Sequence, residues 1–152
     1  MRFNYKIIPV KEPHPAFPDR TSHWIPVVPV RLSYGHGPQS RRFEALIDSG
    51  AADCLFHADI ASALQIKIDR GTKADVAGIV RGIKVDAYFH DVSLWVGAGT
   101  IRIKAGFVKG LPVAGLLGRR GFFENFIVTF DPSATPPGFD LERLGRALPP
   151  NS

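Results

Sequence analysis

Short apolar runs, some alternating with polar residues and most broken by glycine or proline, set the pattern of this chain. Residues 25–33 are rich in β-formers, with Val27, Val28, Val30 and Leu32, and read as a strand. Pro26 and Pro29 put that strand at an edge, because proline cannot donate to a ladder. A turn at Tyr34-Gly35-His36-Gly37-Pro38 leads to a second strand over 42–47, which runs into Asp48. Cys54-Leu55-Phe56 is a short apolar strand. Residues 58–66 read as a helix, with Ile60 and Leu64 on one face and Asp59 near the positive end of its dipole.

Alternation resumes over 72–92, with Val85, Ala87 and Phe89 on one face. Gly78 and Gly82 mark the tip of a long hairpin. A further hairpin, 92–96 with 100–108, turns at Gly97-Ala98-Gly99. Residues 116–118 are a strand ending in glycine, 119–125 a short helix, and 126–131 and 139–144 two last strands around a turn. Residues 1–24 lack an apolar period and read as a partly extended arm, ordered against another surface. The domain spans 25–145, and 146–152 form a proline-containing tail. The pattern predicts a mainly β domain with one or two short helices.

Composition narrows the possible functions. The 152 residues suit one domain, and 45% hydrophobic residues suffice for a core without disulfides or metal. One cysteine, Cys54, excludes an internal disulfide framework and points to a cytoplasmic setting. No signal-peptide run follows the basic start, and no apolar stretch approaches the roughly 20 residues of a membrane helix. The charge is +5, but the basic residues are scattered, with doublets only at Arg41-Arg42 and Arg119-Arg120. A nucleic-acid surface clusters its charge, so no nucleic-acid partner is expected. His14, His23, His36, His57 and His90 show no paired metal spacing, so neither metal nor cofactor is expected.

The most informative segment is Ala45-Leu46-Ile47-Asp48-Ser49-Gly50-Ala51. An acid directly after a buried apolar strand is costly unless its charge is paired or shared. Taken alone, Asp-Ser-Gly is also an ordinary turn closing a strand. A second segment, Leu116-Leu117-Gly118-Arg119, changes the weighing. Together the two motifs resemble the retropepsin-like aspartic proteases, over roughly residues 27–144. The resemblance implies a retropepsin-like half-barrel with a flap hairpin. It implies Asp48 as the catalytic acid, with Ser49, Gly50 and Ala51 as the active-site loop. Leu116, Leu117, Gly118 and Arg119 then support that loop, and Gly78, Ile79, Val80, Arg81 and Gly82 form a flap over a peptide or protein substrate.

Such enzymes need two adjacent carboxylates that share a proton. This chain has one Asp-Ser-Gly; Asp69-Arg70-Gly71 lacks the preceding apolar pair and the Ser or Thr. The resemblance therefore implies a homodimer with an Asp48 from each subunit. Ser49 would bond to the partner's backbone, and the strand over 139–144, with an edge to pair, would join the interface. Many viral members carry an acid directly after the motif's alanine, paired with the arginine of the second motif. Here that position is Ala52 and the acid is Asp53, so the partner of Arg119 stays open.

Weaker signals have plainer readings. Cys54 and His57 invite a cysteine-protease dyad, but Cys54 flanks an apolar strand and reads as packing. Trp24 and Trp95 also read as packing residues. Gly97-Ala98-Gly99 precedes a strand, not the helix a dinucleotide loop requires. Two rivals to an endopeptidase remain: a catalytically silent peptide-binding or dimerisation module on the same fold, and a monomeric β-barrel adaptor.

Overall fold

A computed structural model describes residues 1–76 and 84–145. The elements are β1 (Arg2–Asn4), β2 (Lys6–Pro9), β3 (Ser22–Ile25), β4 (Val27–Ser33), β5 (Phe43–Ile47), β6 (Cys54–His57) and α1 (Ala58–Ala63). A 3-10 turn, Ile68–Arg70, precedes β7 (Thr72–Val76), β8 (Val85–Val96), β9 (Gly99–Val108), β10 (Gly115–Leu117), β11 (Phe126–Asp131) and β12 (Gly138–Arg143). The chain is mainly β, with one short α-helix among the described residues.

Six strands close into a barrel in the order β4-β5-β10-β6-β9-β8, and β8 pairs back to β4. β7 continues the sheet beyond β8. Alternation explains the barrel wall. On β9, Ile101, Ile103, Ala105 and Phe107 are buried, while Thr100, Arg102 and Lys104 are not. The interior is filled by Val28, Val30, Leu32, Ile47, Phe56, Leu94, Phe107 and Leu117, among others. β10 is buried throughout, as its unbroken apolar run requires. A smaller cluster, with Leu55, Val76, Ala87, Val108 and Leu116, lies outside the main core. These two clusters place one apolar layer inside the barrel and another beneath the site described below.

Pro29, the proline within β4, sits where one neighbour is missing. Val27–Val30 pair with β5, whereas pairing with β8 begins only at Val30 and runs to Ser33. The edge reading therefore holds for the first half of β4 and fails for the second half, which closes the barrel. The helix expected over 58–66 stops at Ala63, because Gln65 takes a positive φ of 60°. The helix expected over 119–125 is a series of turns. Gly121 has φ 99°, which a right-handed helix does not admit.

The first residues belong to the fold of the same chain. β1 pairs with β12, Phe3 opposite Phe139, and β12 pairs with β11 on its other side. The strand expected to offer a free edge is thus the middle of a three-stranded sheet. Phe3 stacks on Phe139 and Tyr5 meets it edge-on, with ring centroids 5.7 Å away in both cases. Trp24 is more exposed than a packing residue should be and stacks on Tyr5. Trp95 donates its indole N–H to Ser33 Oγ at 2.9 Å.

Candidate active site

β5 carries its small and branched residues inward, with Ala45 and Ile47 buried, and ends one residue before Asp48. The Asp48 backbone N–H donates to the Leu117 carbonyl at 3.1 Å, which continues the parallel pairing of β5 with β10. The chain then turns, and the Ala51 N–H donates to the Asp48 carbonyl at 3.2 Å. Inside that turn the Gly50 N–H donates to Asp48 Oδ1 at 2.9 Å. A carboxylate held this way keeps one oxygen fixed by a charge-assisted hydrogen bond. Asp48 is half-buried, and Ser49 and Gly50 are exposed.

The second motif clamps the first along its length. After Leu117, the Arg119 N–H donates to Ala51 O at 2.9 Å, and the Arg120 N–H to Ala52 O at 2.8 Å. Arg119 Nη1 reaches the carbonyls of Ser49 at 2.9 Å and Gly50 at 3.1 Å. Gly118 is where the two segments come closest. A β-carbon there would lie 2.8 Å from Ala51 O and closer still to Asp53 O. No side chain fits between two backbones at that spacing.

Arg119 does not pair with Asp53. Arg120 does, through Nε to Oδ1 at 2.7 Å and Nη2 to Oδ2 at 2.9 Å. Asp53 and Arg120 also form an isolated parallel β-bridge, which sets this register. The hydrogen bond to Asp53, and then its charge, raise the Arg120 pKa above the ordinary arginine value. Arg120 is the site residue that sequence reasoning missed. Its signal in the sequence is the arginine doublet Arg119-Arg120.

A cleft of about 640 Å³ opens over this turn. Asp48, Gly50, Ala51, Asp53 and Arg120 line one part, and Leu46, Leu55 and Leu116 supply apolar floor. Asp75 and Val76 of β7 add a further wall. β7 and β8 pair from Thr72 opposite Phe89 to Val76 opposite Val85, the two arms of the long hairpin. Gly78, Ile79, Val80, Arg81 and Gly82 lie outside the described residues. A depression of about 660 Å³ near His14, Phe17 and Trp24 contains none of the motif residues.

Cys54 and His57 do not form a dyad. Cys54 is fully buried, and its thiol faces the carbonyls of Arg120 at 3.4 Å and Gly118 at 3.9 Å. Burial pushes the thiol pKa up to about 12, so the nucleophilic thiolate is suppressed. His57 caps α1 instead, its Nδ1 accepting from the Asp59 N–H at 3.1 Å.

No family model and no curated protein matches this chain. Among solved structures, EIAV protease complexed with the inhibitor HBY-793 is similar at 22% identity and a TM-score of 0.46, over 62% of this chain and 82% of that one.

Proposed function

We propose that the protein is an aspartic endopeptidase that hydrolyses peptide bonds as a homodimer, with Asp48 of each subunit forming the catalytic pair. The observation that carries this reading is the setting of Asp48. It stands at the end of a strand with a buried face, with one carboxylate oxygen fixed by Gly50 N–H, on the wall of a cleft of about 640 Å³. The resemblance of Asp48-Ser49-Gly50-Ala51 and Leu116-Leu117-Gly118-Arg119 to the retropepsin-like motifs supports the same role. The other carboxylates of the cleft have different situations: Asp53 is committed to Arg120, and Asp75 stands on β7.

The chemistry requires two carboxylates because one cannot take a proton from water and polarise the scissile carbonyl at once. Like charges held close do not both ionise, so the pair keeps one proton. The ionised member accepts a proton from the attacking water. The protonated member donates to the carbonyl oxygen. On collapse the C–N bond breaks, the proton taken from water passes to the leaving amine, and a hydroxyl proton of the intermediate returns to the other carboxylate. The pair titrates as a unit, with two apparent values that belong to neither residue alone. Ser49 is exposed, and in the dimer its hydroxyl bonds to the partner's backbone.

Cleavage of a peptide library by the purified protein tests the reading. Asp48→Asn abolishes turnover while circular dichroism and sedimentation stay unchanged. Full activity in that variant overturns the assignment. Peptide binding by the wild type without turnover, from acid to neutral pH, would favour the silent module.

A further inference from the structure

The floor of the cleft continues past Asp48. Strand register sets Val27 opposite Leu46, Leu46 beside Leu116, and Leu116 opposite Leu55. Paired residues on neighbouring strands share a face of the sheet, so these four side chains form one apolar row across β4, β5, β10 and β6. Strands lie about 4.8 Å apart, so three steps give a row of about 14 Å, the length of about four residues of extended peptide.

Leu55 and Leu116, at one end of the row, lie in the cleft with Asp48. The other end opens into a separate depression of about 390 Å³, lined by Val27, Ile8, Ile25 and Ala114. Leu46 and Val113 line both, so the two hollows adjoin. The outer wall belongs to the hairpin of β2 and β3, which the barrel itself does not require. Ile8 leaves 37% of its surface open there. The charged residues of this hollow, Lys6 and Glu44, pair with each other, so it favours neither sign.

We infer that the β2–β3 hairpin builds an outer subsite of the substrate groove, which takes an uncharged apolar side chain of an extended peptide two or more residues from the cleaved bond. This rests on the catalytic reading of Asp48. The occupant follows from continuity with the cleft: a chain lying over the apolar row reaches Ile8 and Ile25 without leaving the sheet face.

The test uses peptides of one scissile sequence, scanned with Leu or Ser at each position two to five residues away on either side. Cleavage is measured as kcat/KM, and binding to the Asp48→Asn protein by fluorescence anisotropy. The wild type prefers Leu at one outer position by about tenfold, the scale of small apolar differences in a pocket. Ile8→Ser removes most of that preference and Ile8→Val keeps it. Cleavage with no outer preference, or a preference untouched by Ile8→Ser, overturns the subsite and leaves the catalytic reading standing. Binding with the expected preference but no cleavage by the wild type upholds the subsite and overturns the catalytic reading.

Discussion

Arg120 grips Asp53 through two parallel hydrogen bonds of 2.7 and 2.9 Å, although Arg119 is the residue next to the motif glycine. The partners differ in exposure: the Asp53 side chain is 13% open and that of Arg120 67%. Removing Arg120 would leave a largely buried carboxylate without its cation. With the exposed arginine discounted for solvent screening, Arg120→Ala is expected to cost about 1–2 kcal/mol. Urea denaturation checks this, and a cycle with Asp53→Asn should show coupling between the two sites.

Arg119 acts on the loop carbonyls and not on a carboxylate. Arg119→Ala frees the Ser49 and Gly50 carbonyls it holds. Its cost in stability is therefore small, but Asp48 loses its fixed position. Peptidase activity should fall by about 10- to 100-fold, the scale of a small misplacement of a reacting group. Steady-state kinetics beside a melting curve separates the two effects. A variant with unchanged kcat/KM would remove Arg119 from any positioning role.

Gly118→Ala drives a methyl into the Asp53 and Ala51 carbonyls. Neither backbone can yield without moving the Asp48 turn. The expected loss is about 3 kcal/mol or more, at the upper end for overpacked sites. A calorimetric melting temperature within a degree of the wild type would contradict the close approach.

If two chains share the reaction, specific activity depends on protein concentration. Dilution through the dimer dissociation constant should lower it, as sedimentation shows monomers accumulating. Mixed one to one with Asp48→Asn chains, random pairing leaves about a quarter of the dimers with both acids. Activity per dimer should fall to that level after exchange. Half-activity in the mixture would mean that each chain works alone.

Cys54 gives a pH signature. Its pKa is 9.0 ordinarily and about 12 in the folded protein. Above 9 the unfolded chain releases a proton that the folded chain retains, so unfolding gains. The contribution to stability is complete below about pH 9 and declines as pH rises toward 12. Cys54→Ala should remove that part of the decline. At pH 8, thiol labelling of the native protein should be slow and should match the rate of unfolding.

The alternation of apolar residues and the punctuating glycines determined the hairpins of the barrel, because both are local: a strand's buried face and a turn's backbone are written in adjacent residues. The same locality placed Asp48 after its strand and Gly118 after β10. What the sequence could not determine depends on register between segments far apart. Arg119 and Arg120 are chemically alike, and only the bridge of Arg120 to Asp53 decides which one meets the acid. The 119–125 segment reads as a short helix, yet Gly121 takes a left-handed φ beside Cys54 and Ile103. The edge of the strand near residue 139 looked open because its cover, β1, lies at the opposite end of the chain. The apolar row from Val27 to Leu55 likewise exists only once four strands from three regions are aligned, since cross-strand neighbours are fixed by tertiary pairing and not by spacing along the chain.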